Sequence, residues 1–316
     1  MDISIIVPLY NEEESLPELV AWIKRVMEQN GFSFEVILVD DGSDDSSWNV
    51  IENLHAEHSF VRGIKFRRNY GKSAALHTGF QASRGEVVVT MDADLQDSPE
   101  EVPEMYRMIM EDGYQLVSGW KKKRYDPFSK TIPSRLFNRT ARIFTGIKLH
   151  DFNCGLKAYR NDVVKSIEIF GEMHRYIPVL AKQAGFKRIG EKVVQHQERK
   201  YGITKFGLER FINGFLDLFT VIFVSRFGKK PMHLFGTLGT LMFLMGGIIT
   251  MWIVVSKLYA QFNHLHFRAV TDQPLFYIAL VMAIIGAQLF VAGFLGELVS
   301  RSSHDRNIYL IEKEID

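Results

Sequence analysis

Two stretches of 22 residues, Leu234–Val255 and Leu275–Gly296, contain no charged side chain. As helices each would be about 33 Å long, against a bilayer hydrocarbon core of about 30 Å. Two core helices of a soluble protein would read the same way, but two such runs side by side need a large soluble domain to hide them. A membrane hairpin is therefore expected, with spans at 231–258 and 274–300, a connecting loop at 259–273 and a tail at 301–316. The flanks give its direction. "RFGKKP" precedes the first run and Arg301 follows the second, whereas residues 256–274 between the two runs have Lys257 and Arg268 against Asp272. The excess of basic residues predicts that the tail and everything before the hairpin are cytoplasmic. Residues 206–230 are apolar with sparse charges and suit a helix lying in the membrane interface. The start, "MDISIIVPLYNEEE", has neither the basic residues nor the apolar core of a signal peptide. The lone cysteine, Cys154, excludes an internal disulfide framework and fits a reducing compartment.

Residues 1–205 read differently. Apolar runs ("ISIIVPLY", "FEVILVDDG", "GEVVVTMDAD", "QLVSGW") alternate with helical stretches ("EESLPELVAWIKRVMEQNG", "KSAALHTGFQASRG", "PEEVPEMYRMIMEDG"). That alternation predicts βαβ units, a mostly parallel sheet and an α/β domain. Near-continuous apolar strands fit a sheet covered on both faces.

The third run leads into "MDADLQDSP", three carboxylates in a row of nine residues. In an extended segment alternate side chains share a face, which would line up Asp92, Asp94 and Gln96 as oxygen ligands. They would stand at the carboxyl end of a strand, where open α/β sheets bind ligands. Like charges crowded there need a cation, and oxygen donors suit Mg²⁺ or Mn²⁺. A solvated acidic turn would carry the same residues. "VPLYNEE" and "VDDGSDDS" end the first two strands and should open on the same edge, with Tyr10 offering a flat apolar face. His77 and His196 read as structural histidines, and no His/Cys spacing suggests zinc. "RGIKFRRNYGKS" lacks the first glycine of a P-loop.

These three motifs, in this order and spacing, resemble glycosyltransferase family 2 with its GT-A nucleotide-sugar fold. "MDADLQDSPE", "RNYGKSAALHTGF" and the two-span tail resemble more narrowly its polyprenyl-phosphate glycosyltransferases. The resemblance implies that Pro8, Tyr10, Glu12, Asp40, Asp41, Lys72 and Asp92 bind the nucleotide. It implies that Asp92, Asp94 and Gln96 hold the metal and diphosphate. "DFNCGLK" resembles the segment beside the sugar, making Asp151 a catalytic candidate with Asp92 and Asp94. "RKYGITKF" resembles a phosphate-binding segment and nominates Arg199 and Lys205. Lys121 stands where relatives often carry Arg. Residues 121–142 hold eight basic residues and one acid. A helix from Ser134 to Thr145 would align Arg135, Arg139 and Arg142 beside an apolar face, facing lipid phosphate or anionic lipid.

The implied reaction is inverting, metal-dependent transfer of one sugar from a nucleotide sugar, a UDP sugar such as UDP-glucose ahead of GDP-mannose, to a polyprenyl (undecaprenyl) phosphate. The implied location is the cytoplasmic membrane, multi-pass, with both termini inside. No nucleic-acid partner is expected. Small residues along the second span (Ala279, Ala283, Ala287) could seat the first span or join a homo-oligomer. Two other functions use the same motifs: a processive polysaccharide synthase, which needs more spans and usually a Gln-x-x-Arg-Trp motif, and a non-catalytic sensor of nucleotide sugar.

Overall fold

The structure, a computed structural model, describes residues 1–122, 138, 142, 145–171, 173–197, 200, 231–265, 268–302 and 311–315. The chain divides into two units, Met1–Val221 with Asp305–Asp316, and Ile222–His304.

The first unit is built on one eight-stranded sheet of order β7-β5-β6-β4-β1-β2-β3-β8. Its strands are β1 (Ile3–Leu9), β2 (Phe34–Asp40), β3 (Val61–Phe66), β4 (Val87–Thr90), β5 (Leu116–Trp120), β6 (Lys157–Arg160), β7 (Ile189–Val193) and β8 (Ile311–Ile315). The four central strands β4, β1, β2 and β3 are parallel. β1 and β4 are buried almost throughout, as expected for strands covered on both faces. The helices α1 (Leu16–Gln29), α2 (Ser47–Glu57), α3 (Lys72–Ala82) and α4 (Val102–Met110) make the crossovers. α1 buries Leu16, Leu19, Val20, Ile23, Val26 and Met27, a stripe with the three-to-four spacing of one helical face. Pro17 sits in its first turn, where a missing N–H costs nothing. Gly63 lets β3 pass under α2, since a Cβ there would come within 2.5 Å of Ile51 Cγ2.

Two strands run against the parallel direction. β6 is inserted antiparallel between β4 and β5, and β8 adds antiparallel to β3. The tail expected at 301–316 thus ends as a strand of the same sheet as the N-terminus. Two short helices, α5 (Asn161–Lys165) and α6 (Ile177–Gln183), follow β6.

The second unit is a helical hairpin, α7 (Pro231–Phe262) and α8 (Pro274–Ser302). Both helices are long and apolar enough to span a bilayer, and only 17% of the most apolar window of each is buried. Trp252 is 70% exposed and Ile248 68%, so the described residues do not bury this pair as core helices. The helices meet through small residues. A Cβ on Gly239 would lie 2.5 Å from Gly286 O, and one on Gly246 would lie 2.6 Å from Ala279 O and 3.0 Å from Ala283 N. Ala279 and Ala283 therefore seat the first span of the same chain, while Ala287 is exposed. The expected interfacial helix at 206–230 lies outside the described residues.

Candidate active site

The sheet order brings the sequence motifs to one edge. β4, β1, β2 and β3 run parallel, so residues 91–97, 10–15, 41–46 and 67–72 all leave at their carboxyl ends. β5 and β7 point the same way. β6 runs oppositely, so the segment before it, residues 151–156, arrives at this edge too. The order also reverses at β1, whose neighbours are β2 and β4, and such a switch point opens a crevice for a ligand.

The Asp92 loop differs from the extended segment expected. Residues Ala93–Leu95 form a turn, and Leu95 has a φ of 61°, in the left-handed region that non-glycine residues seldom adopt. Asp94 closes the turn by accepting the Gln96 N–H at 3.2 Å. Burial still alternates: Met91, Ala93, Leu95 and Asp97 are buried, whereas Asp92, Asp94 and Gln96 are partly exposed. The buried apolar residues anchor the loop, and the polar ones keep partial exposure.

Asp92 is ion-paired to Lys72, the first residue of α3. Burial works against its charge, but Lys72, then Lys121 and Lys157, outweigh it and bring its pKa down to about 2. Gly155 packs directly on this carboxylate, where a Cβ would lie 2.5–2.7 Å from its atoms. Lys121 is paired with the buried Asp97 at 2.7 Å, and this partner raises its pKa against the opposing effect of burial. The backbones of Asp97 and His196 pair as an isolated antiparallel β-bridge.

After β2, Asp41 accepts the backbone N–H groups of Tyr70 (2.7 Å) and Gly71 (2.9 Å) and so fixes the approach to α3. Gly71 takes a φ of 93° there. Asp40 accepts the Ser43 N–H at 2.9 Å, while its second oxygen is buried with no hydrogen-bond partner among the described residues. Burial raises the pKa of both. Tyr10 is exposed and donates its hydroxyl to Asp44 at 3.1 Å. The Glu12 carboxylate accepts the Ser15 hydroxyl at 3.2 Å. Pro8 lies within β1, beside Val39 of β2.

Asp151 is 1% exposed and accepts the Asn153 N–H at 3.0 Å. Glu191 of β7 holds this segment, accepting the backbone N–H groups of His150 (2.6 Å) and Asp151 (3.0 Å) and bonding His150 Nδ1 at 2.7 Å. The His150 ring stacks on Trp120 at 4.1 Å. Arg135, Arg139, Arg199 and Lys205 lie outside the described residues. His77 is buried within α3 and burial lowers its pKa, in keeping with a structural role.

Several residues of this edge were not singled out from the sequence: Gly155, Lys157, Glu191 and the pair His174–Arg175. Their signals were weak. Gly155 and Lys157 belong to "DFNCGLK", and Glu191 is a charged residue in a short strand.

The model of the family described as Glycosyl transferase family 2 matches residues 4–168. The chain belongs to this family. Two curated relatives match nearly end to end. One is a dodecaprenyl-phosphate galacturonate synthase of Rhizobium johnstonii, 33% identical over 96% of this chain and 88% of that protein. The other is an undecaprenyl-phosphate 4-deoxy-4-formamido-L-arabinose transferase of Shewanella sediminis, 36% identical over 96% and 88%. The glycosyltransferase described here therefore groups with the polyprenyl-phosphate enzymes of family 2. Among solved structures, glucosyl-3-phosphoglycerate synthase of Mycobacterium tuberculosis, in complex with Mn²⁺, UDP and glucosyl-3-phosphoglycerate, superposes with a TM-score of 0.54. It is 19% identical over 71% of this chain and 79% of that one, a likeness of fold. The GT-A α/β architecture expected from the sequence is the one observed.

Proposed function

We propose that this family 2 enzyme transfers one sugar from a nucleotide sugar to a polyprenyl phosphate, with inversion and with a divalent cation. The observation that carries the reading is the pairing, within one chain, of the Asp92–Gln96 turn at the sheet's carboxyl edge with an apolar hairpin. The end-to-end similarity to two lipid-phosphate sugar transferases includes that hairpin.

The acceptor dictates the chemistry. A lipid phosphate is anionic at neutral pH, so it needs no general base. One of its oxygens forms a bond to the anomeric carbon. The bond from that carbon to the diphosphate breaks, and its electron pair leaves on the nucleoside diphosphate. The protein's task is to hold two anions together and to receive the departing charge. Lys72 stands at the diphosphate side. Arg135, Arg139, Arg199, Lys205 and Lys121 are the candidates for the lipid phosphate and diphosphate. Asp151, held by Glu191, orients the sugar. Pro8, Tyr10, Glu12, Asp40 and Asp41 line the base and ribose side.

The donor set fits a metal. Among the described residues no three His, Cys, Asp or Glu side chains form a complete cage. Mg²⁺ and Mn²⁺ seldom need one, because one or two carboxylates suffice when substrate phosphates and water complete the shell. Asp92, ionised and partly exposed, with Asp94 and Gln96, meets that requirement. When bound, the ion supplies Lewis-acid stabilisation of the leaving diphosphate. The solved neighbour holds Mn²⁺ with UDP, which favours the same use here.

The topology reading rests on β8. It pairs with β3 in the sheet of the N-terminal unit, so both termini belong on one side of any membrane crossed between them. An even number of crossings follows, as a two-span hairpin gives. The Arg and Lys residues of "RFGKKP" favour the cytoplasmic side.

The test is transfer from a labelled nucleotide sugar to undecaprenyl phosphate, with Asp94→Asn as the paired variant. Lipid-linked monosaccharide from the wild type, and loss of at least 100-fold in the folded variant, is the expected result. A polymer would point to a processive synthase, absence of product to a sensor, and full activity of Asp94→Asn in chelator would remove the metal assignment.

A further inference from the structure

Beside Asp92 lies a small cavity of about 20 Å³ whose lining includes Lys72, Asn153, Lys157, Tyr159, His174 and Arg175. A single water needs about 10–15 Å³ by a comparable measure. The space therefore admits one substituent of a ligand, not a sugar ring or a diphosphate.

Its lining is rich in donors and cations. Lys72, Lys157 and Arg175 contribute three basic side chains, and no Asp or Glu is among the described residues that line it. Lys157 is 3% exposed, and its ammonium bonds the carbonyl of Cys154. Burial works against this charge and lowers its pKa, while the nearby Asp151 and Asp92 carboxylates support it. Its hydrogen-bond acceptor among the described residues is neutral, so a carboxylate in the cavity would give the ammonium a charged one. His174 adds an uncharged donor. Ser73 Oγ accepts the His174 backbone N–H at 3.0 Å, so its own proton is available to Nδ1 at 3.1 Å. That bond favours the tautomer with hydrogen on Nε2. Burial, with Lys72, Arg175 and Lys157 nearby, keeps the ring neutral, its pKa pushed down to about 2.

The position selects the kind of anion. The cavity includes Asn153, Cys154 and Gly155, and Gly155 packs on Asp92. It thus adjoins the carboxylate proposed for the donor's metal and diphosphate, on the side of the 151–157 segment. A group projecting from the donor sugar would reach it. A phosphate monoester, with five heavy atoms around a tetrahedral centre, is bulkier than a planar carboxylate of three.

We propose that this cavity is a subsite for a carboxylate on the donor sugar, so that the unit transferred is a hexuronic acid. The proposal rests on the sugar-transfer reading above and adds the class of donor. Arg175, Lys157 and the Nε2–H of His174 are the specificity determinants, and Lys72 is shared with Asp92.

The experiment uses the full-length protein in detergent with undecaprenyl phosphate and Mn²⁺. Donors are UDP-glucuronate, UDP-galacturonate, UDP-glucose and UDP-galactose. Charged hydrogen bonds of the size expected correspond to factors of about 10 to 100. One uronate should exceed its neutral counterpart in kcat/KM at least tenfold. Arg175→Gln should lower that ratio at least tenfold while the protein still binds UDP by calorimetry. Preferential transfer of a neutral hexose would overturn the subsite and leave the transferase reading standing. A rise in the KM for lipid phosphate in Arg175→Gln, equal with every donor, would give the cavity to the acceptor instead. Transfer from none of the four donors would overturn the subsite, and the transferase reading would then be decided by the same assay with GDP-mannose and a UDP-linked amino sugar.

Discussion

Gly155→Ala should disable the site by the smallest available change. A Cβ at this position would lie 2.5 Å from Asp92 Oδ2, 2.6 Å from Cγ and 2.7 Å from Oδ1, whereas ordinary contact begins at 3.4 Å. The Asp92 carboxylate, or the strand entry carrying residue 155, must move by about 0.7–0.9 Å to reach that contact distance. The backbone has little room to retreat, because Thr90 Oγ1 donates to Gly155 O at 2.8 Å. The carboxylate is the part that yields, and its pairing with Lys72 is disturbed. Overpacking of this kind costs about 1–3 kcal/mol, a Tm loss of a few degrees for a domain of this size. A misplacement near 1 Å at a reacting centre costs on the order of 100-fold in rate. The assay is kcat/KM for sugar transfer beside thermal unfolding. Gly63→Ala is the control: its Cβ would come within 2.5 Å of Ile51 Cγ2, in the core between β3 and α2. It should lose stability with little specific loss of activity. Wild-type turnover in folded Gly155→Ala would refute the reasoning, as would equal activity losses in the two variants when both are folded.

Glu191→Gln keeps the shape of the side chain that gathers His150 and Asp151 but removes its charge; kcat should fall about tenfold with KM for the donor little changed, and an unchanged kcat would make Glu191 a purely structural residue. The folded pKa of Asp92, about 2, lies below its ordinary 3.8, so its contribution to stability is in place above about pH 4 and is lost as pH falls through 2. Lys72→Met removes the pairing, and its acid-unfolding midpoint should move to higher pH; a midpoint equal to the wild type would count against the pair. Ala283→Leu should lower the hairpin's denaturation midpoint in detergent, since Ala283 N already lies 3.0 Å from where a Cβ of Gly246 would be. Its particle mass in nanodiscs should stay that of the wild type, and a changed mass with an intact hairpin would move the stripe to an interface between copies.

The parts of the fold legible in the sequence were those whose signal is local. β1, β2, β4 and β5 are apolar runs of four to seven residues, and each coincides with an expected strand. β6, "KAYR", has two basic residues in four and no apolar run, so nothing local distinguishes it from a loop. β8, "IEKEI", alternates well but follows the membrane spans, and its partner β3 lies more than 240 residues earlier. A pairing at that distance has no local signature. The Asp92 loop shows the same division. Alternating burial of residues 91–96 follows from their polarity, and it was readable; the burial of Asp97 was not, because it comes from pairing with Lys121. The left-handed turn at Leu95 was not, because no glycine or asparagine marks it. Glu191 and His174 were missed for a related reason: their roles come from neighbours 40 and 101 residues away.

Strand direction explains where the functional residues stand relative to their strands. In a parallel strand the carboxyl end faces the ligand edge, so Tyr10, Asp41 and Asp92 come just after β1, β2 and β4. β6 is antiparallel, which inverts the rule. The residues it brings to that edge must come before it, and Asp151, Asn153 and Gly155 do. Had β6 been parallel, the same edge would have received the segment after Arg160, and "DFNCGLK" would have emerged at the opposite edge, remote from Asp92. The contact between Gly155 and Asp92 exists because the chain reverses between β5 and β6, and the residues of that reversal complete a site that the parallel strands begin.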